Sequence, residues 1–217
     1  MDTGHFYPIP RDEARQFIGV SSDQRVVLFV GRIEPLKGID TLIRAMTCMN
    51  FQNIGGPVYL TVIGGEPEAS PSAMSAEMTR LQALCDELCM GQMVMFLGKR
   101  AQDTLPYYYS AADVLVMPSF YESFGMVALE AMACGTPVIA SQVGGLAFLV
   151  RDGETGFTVP EGDPDILCNK LALLLDDDPL RERMGHAAAA YALDYDWRKI
   201  AGQVIKVYAD LTNKPVK

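Results

Sequence analysis

Short apolar runs alternate along the chain with segments whose apolar positions recur at helical spacing. The runs predict five or six strands, over residues 25–30, 58–63, 93–97, 114–117, 137–140 and 157–159. Apolar positions three and four apart predict helices over residues 40–49, 75–90, 104–112, 124–134 and 146–150. From Asp163 to Leu211 the pattern is helical, with breaks near Asp178-Pro179 and Tyr195-Asp196.

This alternation predicts an α/β fold. Short apolar strands that are separated by helices form a parallel sheet, and the helices cover both of its faces. Right-handed crossovers then give a Rossmann-like, doubly wound parallel sheet of about six strands. Such sheets bind ligands at the carboxyl ends of their strands. We therefore look for a site in the loops after Val30, Ile63, Leu97, Met117 and Ala140.

Composition narrows the class of protein. The 217 residues suit one domain or two small ones. The formal net charge of −9 argues against nucleic-acid binding, which needs a basic surface. The sequence shows no apolar run of membrane-spanning length and no apolar signal core near its start, so we expect a cytoplasmic protein.

The five cysteines are an odd number without the spacing of a zinc site. Each lies in an apolar or helical context. In a cytoplasmic protein we therefore expect reduced, buried thiols at all of these positions, which are Cys48, Cys85, Cys89, Cys134 and Cys168.

The loop after the first strand carries two cations ahead of a helix. Arg32 and Lys37 lie five residues apart, and Lys37 is followed by Gly38 and Ile39. A P-loop would need a serine or threonine directly after the lysine, so this is not one. Arginine can bind two phosphate oxygens in a fork and lysine can act as a point charge, which suits a diphosphate. Taken alone, the pair is equally compatible with two solvated loop charges.

The segment PSFYESFGMVALEAMACG, which follows the strand ending at Met117, is the most informative part of the sequence. It predicts a loop that carries Glu122 and a helix that begins near Phe124 and ends at Gly135. The free amides at such a helix start attract phosphate. Glu130 lies in the second turn among apolar residues, where a carboxylate needs polar partners such as vicinal sugar hydroxyls. The alternatives are an exposed loop charge for Glu122 and a salt bridge at the helix edge for Glu130.

These residues resemble a known family. The stretches GRIEPLKGIDTLIRA, VIGG, MFLGKR and YYYSAADVLVMPSFYESFGMVALEAMACGTPVIASQVGGLAFLVRDGETGFTVP are similar to the C-terminal domain of group 1 retaining glycosyltransferases with the GT-B fold. That family includes sucrose-phosphate synthase and glycogen synthase. The pair of glutamates eight positions apart, Glu122 and Glu130, is highly specific in this loop-and-helix context.

The resemblance implies a role for each matching residue. Arg32, Lys37 and Glu122 would be the catalytic residues: the two cations bind the diphosphate and stabilise the leaving nucleotide, and Glu122 holds hydroxyls of the donor sugar. Glu130 would hold the ribose hydroxyls. Further nucleotide-sugar contacts are expected from Gly31, Gly64, Arg100, Leu105, Ser123, Phe124, Gly125, Met126 and Val127. Gly64, Lys99 and Arg100 would frame the base, with Leu105 nearby, and the turn at Gly144 and Gly145 would help to shape the crevice.

The resemblance also implies that this chain lacks the acceptor-binding half of such an enzyme. We expect residues 1–10 to be the end of an interdomain linker and residues 11–196 to be the nucleotide-sugar-binding domain. Residues 197–217 would form a C-terminal helix that crosses to the absent N-terminal domain. The partners would be a nucleotide-sugar donor and that domain, and the chain alone would be inactive.

The implied activity is transfer of a sugar from a nucleoside-diphosphate sugar to an acceptor, with retention of anomeric configuration. UDP and glucose are the family's common choices. No residue is a convincing covalent nucleophile, and no Asp-x-Asp pattern suggests a metal, so we expect neither a metal nor a cofactor. A non-catalytic nucleotide-sugar-binding module and a nucleotide-sugar epimerase remain alternatives. The Ser-Phe-Gly that follows Glu122 favours a transferase over an epimerase.

Three other residues are predicted to carry no site. His5 lies near the start of the chain and His186 in a late helical stretch, and we expect neither to be catalytic. Trp197 follows the break at Tyr195-Asp196, where it suits an aromatic lock at the start of the last helix.

Overall fold

The computed structural model describes residues 1–49, 56–65 and 75–212. Within these ranges the strands form one parallel sheet in the order β3-β2-β1-β4-β5-β6. The strands are β1 Arg25–Val30, β2 Val58–Ile63, β3 Val94–Gly98, β4 Val114–Met117, β5 Val138–Ser141 and β6 Gly156–Val159. Each lies within one residue of the strand that the apolar runs predict. The α/β, doubly wound, Rossmann-like fold is therefore confirmed.

The order of the strands creates a switch point between β1 and β4. The chain builds outward from β1 through β2 to β3, returns to place β4 beside β1, and then builds outward the other way. The loops that leave β1 and β4 therefore diverge toward opposite sides and open a crevice at their carboxyl ends.

Helices flank the sheet on both faces. They are α1 Arg11–Ile18, α2 Ile39–Met49, α3 Ala76–Glu87, α4 Leu105–Ala111, α5 Met126–Ala133, α6 Leu146–Leu149, α7 Pro164–Asp176, α8 Asp178–Ala192 and α9 Trp197–Thr212. Alternate residues of β1 point to opposite faces. Val27 and Phe29 pack into a core with helices α2, α3 and α7. Leu28 and Val30 pack into a second core with α4, α5 and α8.

Two predicted helix boundaries are wrong. The helix after β4 begins at Met126 and not near Phe124, because Gly125 takes a φ of +99° and occupies the cap position. Ser123 and Phe124 consequently belong to the loop. The predicted helix over residues 75–90 ends at Glu87, and Cys89 follows in a left-handed conformation with a φ of +56°.

The expectation of five reduced, buried cysteines is wrong. Cys48 at the end of α2 and Cys168 in α7 form a disulfide across 120 residues of sequence. The two helices pack on the same face of the sheet, a proximity that sequence spacing conceals. Cys85 and Cys134 are buried free thiols as expected, whereas Cys89 is exposed.

A buried cluster of charges lies at the amino-terminal end of the central strands, opposite the crevice. Asp113, which is fully buried just before β4, accepts from the backbone N–H of Val26 at 2.7 Å. Its carboxylate pairs with Arg15 at 3.0 Å and Arg181 at 3.2 Å, and it also contacts Arg11. Because a buried carboxylate is costly without partners, these arginines fix α1 and α8 to the bottom of the sheet.

Helix α9 projects from this body, and none of its described residues is buried. Its exposed apolar side chains include Ile205, Tyr208 and Leu211. Trp197 at its start is 58% exposed, so the interpretation of this residue as an aromatic lock is wrong. A role of residues 197–217 in crossing to another domain stays a prediction, and residues 213–217 lie outside the described part of the chain.

Candidate functional site

The loops after β1 and β4 are held together at the switch point. The backbone N–H of Phe120 donates to the carbonyl of Leu36 at 2.9 Å. Gly38, with a φ of +63°, lies so close to the second loop that a Cβ there would be 2.0 Å from the carbonyl oxygen of Pro118. No other residue type can bring the two backbones to this separation, so the glycine fixes where the loops meet.

The joined loops bring Lys37 and Glu122 into contact. The Nζ atom of Lys37 lies 2.6 Å from Oε2 of Glu122, although the two residues are 85 positions apart. Both side chains are 16% exposed. A charge-assisted hydrogen bond at this depth is stronger than a solvated surface pair. The interpretation of either residue as a solvated loop charge is therefore ruled out.

A cleft of about 290 Å³ opens beside this ion pair. Its walls come from the end of β1, the end of β4 and the start of α5. It is lined by Phe29, Val30, Gly31, Arg32, Lys37, Met117, Ser119, Glu122, Ser123, Phe124, Gly125, Met126 and Val127. Nine of these are residues that the sequence assigns to donor binding or catalysis, so the structure brings most of the predicted set into one place.

The start of α5 forms one end of the cleft. No side chain caps this helix, whose N-cap residue is Gly125. The first backbone N–H groups of a helix have no acceptor within the helix, and they carry the positive end of its dipole. An anion in the cleft would accept hydrogen bonds from them at little steric cost, since Gly125 has no side chain.

A glycine turn supports the loop that carries Glu122. The N–H of Gly145 donates to the carbonyl of Glu122 at 3.1 Å. Gly144, with a φ of +47°, would place a Cβ only 1.9 Å from the same carbonyl oxygen. This close approach supports the expectation that Gly144 and Gly145 shape the crevice, because a side chain at Gly144 would displace the backbone of Glu122.

Glu130 lies one helical turn beyond Met126 and faces a second cavity. This cavity has a volume of about 310 Å³ and is lined by Met1, Asp2, His5, Phe6, Gln102, Met126, Glu130 and Trp197. The hydroxyl of Tyr109 donates to Oε2 of Glu130 at 2.8 Å. Burial raises the pKa of the Glu130 carboxyl, and the hydrogen bond from Tyr109 opposes that rise. The alternative of a salt bridge for Glu130 is wrong among the described residues, where the hydrogen-bond partner of its side chain is the neutral phenol of Tyr109.

The remaining predicted residues lie outside the main cleft. Gly64 packs on the backbone of Gly31, where a Cβ would lie 1.8 Å from its carbonyl oxygen. Arg100 is exposed and donates from Nε to the hydroxyl of Tyr108 at 3.0 Å. Leu105 packs against the core of the α4 and α5 face. Their assignment to the base, like that of Lys99, stays a prediction.

Arg32 is a largely exposed residue of the cleft lining. Its side chain is 76% exposed and pairs with Glu34 at 2.7 Å. A pair this exposed contributes little to stability, so the guanidinium is free to leave Glu34 for a bound anion at small cost.

Sequence reasoning missed two features of these cavities. Ser119 is fully buried at the end of β4, and its hydroxyl has no hydrogen-bond partner in the described part of the chain. His5, Gln102 and Trp197 line the cavity of Glu130, yet nothing in their local sequence signals it. They come together through tertiary contacts between residues far apart in the sequence, which a pass along the sequence cannot reveal.

Among the described residues, no group of three or more His, Cys, Asp or Glu side chains is arranged to hold a metal ion. Independence from metal stays a prediction. No helix in residues 1–49, 56–65 and 75–212 has both the length and the apolar character to cross a membrane.

Curated relatives are similar in sequence over nearly the whole of this chain. The D-inositol 3-phosphate glycosyltransferase of Corynebacterium efficiens is 39% identical over 201 residues, which are 93% of this chain and 46% of that protein. The enzyme of that name from Streptomyces bingchenggensis is 40% identical over 203 residues, or 92% of this chain and 44% of that protein. The chain therefore spans about half the length of the curated relatives it matches.

Solved structures share the fold and part of the sequence. Sucrose-phosphate synthase from Thermosynechococcus elongatus superposes with a TM-score of 0.84 and 39% identity, over 98% of this chain and 51% of that one. Anabaena Alr3699/HepE, solved with UDP-glucose, gives a TM-score of 0.81 and 28% identity over 97% of this chain and 56% of that one. These neighbours are glycosyltransferases of the GT-B fold.

One neighbour was solved as a single domain. The C-terminal domain of a group 1 glycosyl transferase from Francisella tularensis matches with a TM-score of 0.75 and 27% identity, over 91% of this chain and 99% of that one. The family model for glycosyl transferases group 1 matches residues 10–191, which include both loops of the cleft and all of α5. On this match, and on the relatives above, the chain belongs to the group 1 glycosyl transferase family.

Proposed function

We propose that this chain is the donor-binding half of a glycosyltransferase that takes its sugar from a nucleoside-diphosphate sugar and retains the anomeric configuration. One observation carries the proposal: Lys37, Glu122 and the uncapped start of α5 meet in one cleft at the switch point of the sheet. A cation, a carboxylate and a helix start are the groups that a phosphorylated sugar requires.

The diphosphate would lie against the start of α5. The free N–H groups there, the ammonium of Lys37 and the guanidinium of Arg32 all favour negative charge in the cleft. As the bond between the sugar and the diphosphate breaks, charge accumulates on the departing oxygen. Fixed positive groups stabilise that charge, and losing one such group typically slows a reaction by ~10²–10³-fold. These groups supply the positive charge themselves, so we expect no metal ion.

Binding of the donor would rearrange the ion pair between Lys37 and Glu122. In the structure each group neutralises the other at 2.6 Å. A bound donor offers phosphate oxygens to Lys37 and sugar hydroxyls to Glu122, so both charges gain new partners in the same event. Both charges need these new partners, because a buried charge that loses its only partner destabilises the protein by about 3–5 kcal/mol.

The nature of the donor is part of the proposal. The Anabaena neighbour was solved with UDP-glucose and, in another structure, with UDP and glucose. By analogy we expect a UDP-linked hexose here. The acceptor and its half of the site would come from an N-terminal domain, so the chain alone should bind a donor without turning it over.

Calorimetric titration of the chain tests this proposal. UDP-glucose, ADP-glucose and GDP-mannose are each titrated into the wild type and into the double variant Arg32→Ala, Lys37→Ala. We expect one donor to bind the wild type and to lose that binding in the double variant. The double variant Arg44→Ala, Arg183→Ala removes two exposed arginines outside the cleft and should bind as the wild type does. If none of the donors binds, or if binding survives the loss of Arg32 and Lys37, the proposal is wrong.

A further inference from the structure

The cavity next to Glu130 is walled partly by the first residues of the chain and by the start of the last helix. His5, Phe6 and Trp197 line it together with Gln102, Met126 and Glu130. Its volume of about 310 Å³ lies at the lower end of the range of small-molecule sites, ~300–1,000 Å³.

The two cavities follow one another along the same face of α5. Met126 lines both of them. Met126 and Glu130 are four positions apart, so they lie on one side of the helix, separated by ~6 Å along its axis. A ligand with its diphosphate at the helix start would therefore extend its next group past Met126 toward Glu130. In a nucleotide sugar that group is the nucleoside.

Polar contacts fix the first residues of the chain to the start of α9 and to the loop after β3. The backbone N–H of Trp197 donates to the carbonyl of Met1 at 2.9 Å. Asp196 accepts hydrogen bonds from the hydroxyl of Thr3 and from Nε of Arg198, the latter at 2.9 Å. The ring of His5 contacts the carbonyl of Gln102 through Nε2 at 3.0 Å and packs edge-on against buried Phe6 at 4.7 Å between ring centroids. Residues 1–6 thus contact both the start of α9 and the loop after β3.

From this arrangement we infer that His5 and Trp197 contact the base of the bound nucleotide. The inference rests on the proposed function and goes beyond it, since it adds a wall from the chain's first residues and from α9 to the donor site. Trp197 lines the cavity and is 58% exposed, and a flat base is the part of a nucleotide that can cover an aromatic ring. The imidazole of His5 offers a second flat ring at the same cavity.

Trp197 is the chain's single tryptophan, so its fluorescence reports on this cavity alone. We expect UDP-glucose and UDP to change its emission, with the same midpoint as calorimetry. Inorganic diphosphate, which has no base, should bind at the start of α5 and leave the emission unchanged.

The variant His5→Ala tests the second contact. Stacking on a base contributes ~1–3 kcal/mol, so His5→Ala should weaken UDP binding by roughly 5- to 150-fold and leave diphosphate binding unchanged. His186→Ala, which removes an exposed histidine from α8, is the matched control and should bind UDP as the wild type does.

The outcomes separate this inference from the proposed function. If UDP-glucose binds in the calorimeter while the emission of Trp197 and the affinity of His5→Ala both stay unchanged, the base lies elsewhere and only this inference fails. If UDP-glucose does not bind at all, the proposed function fails and this inference fails with it.

Discussion

Substitution of Gly144 by alanine should weaken the donor site without touching any group that contacts the donor. An alanine Cβ would lie 1.9 Å from the carbonyl oxygen of Glu122, whereas ordinary contact begins near 3.4 Å. The two atoms must therefore separate by about 1.5 Å, which moves the loop that carries Glu122 away from Lys37. Alanine at the φ of +47° adds a conformational cost of ~1–2 kcal/mol.

Gly153→Ala is the matched control. Gly153 also has a positive φ, +76°, but a Cβ there would meet nothing within 4 Å. The only cost in this variant should therefore be the conformational cost of alanine at a positive φ, which lowers the Tm by roughly 2–8 °C for a domain of this size. The Tm of Gly144→Ala should fall further, because this substitution also displaces the loop that carries Glu122.

The assay is UDP-glucose affinity by calorimetry beside Tm by calorimetric scanning. Losing the alignment of one charged hydrogen bond costs ~1.5–3 kcal/mol, so Gly144→Ala should bind UDP-glucose roughly 10- to 150-fold more weakly. Gly153→Ala should bind as the wild type does. The reasoning is refuted if Gly144→Ala folds and keeps wild-type affinity, or if the two variants lose affinity equally.

Three further predictions concern burial. Burial raises the pKa of the Glu130 carboxyl in the folded chain. The contribution of Glu130 to the free energy of unfolding is therefore full at a pH below its pKa in the unfolded chain, and it is lost as the pH rises through its pKa in the folded chain. Glu130→Gln should abolish this pH-dependent fall in stability, measured by urea unfolding at several pH values, and should also weaken UDP binding. If Glu130 were purely structural, the substitution would lower the stability of the protein instead. Cys168→Ala should cost up to ~5 kcal/mol on the chain-entropy model for a 120-residue loop, measured by urea unfolding, and the exposed Cys89→Ser should cost almost nothing. Asp113→Asn should cost ~3–5 kcal/mol in the same assay by leaving buried arginines unpaired, with UDP-glucose affinity unchanged in the molecules that remain folded.

The sheet was predictable because its strands are buried on both faces. A continuous apolar run such as Arg25–Val30 differs clearly from the helical segments around it, and the alternation of the two classes fixes a parallel, doubly wound topology. The start of α5 was less predictable, because it depends on a positive φ at Gly125 that the sequence permits without requiring.

The contact between Lys37 and Glu122 follows from rules of the fold. Each residue lies in a loop at the carboxyl end of a strand, and β1 and β4 are adjacent at the switch point. The disulfide of Cys48 and the wall formed by His5 and Trp197 do not follow from such rules. They join residues more than a hundred positions apart through the packing of helices and of the first residues, for which a single sequence carries no local signal.

The central claim is that a nucleotide sugar lies against the start of α5 between the loops after β1 and β4. Backbone NMR of the chain titrated with UDP-glucose tests it most directly. We predict the largest shifts at the amides of Gly125, Met126 and Val127, with smaller shifts at Lys37 and Glu122. Shifts centred on Asp113 and the opposite end of the sheet, with the amides of α5 unchanged, would contradict the account.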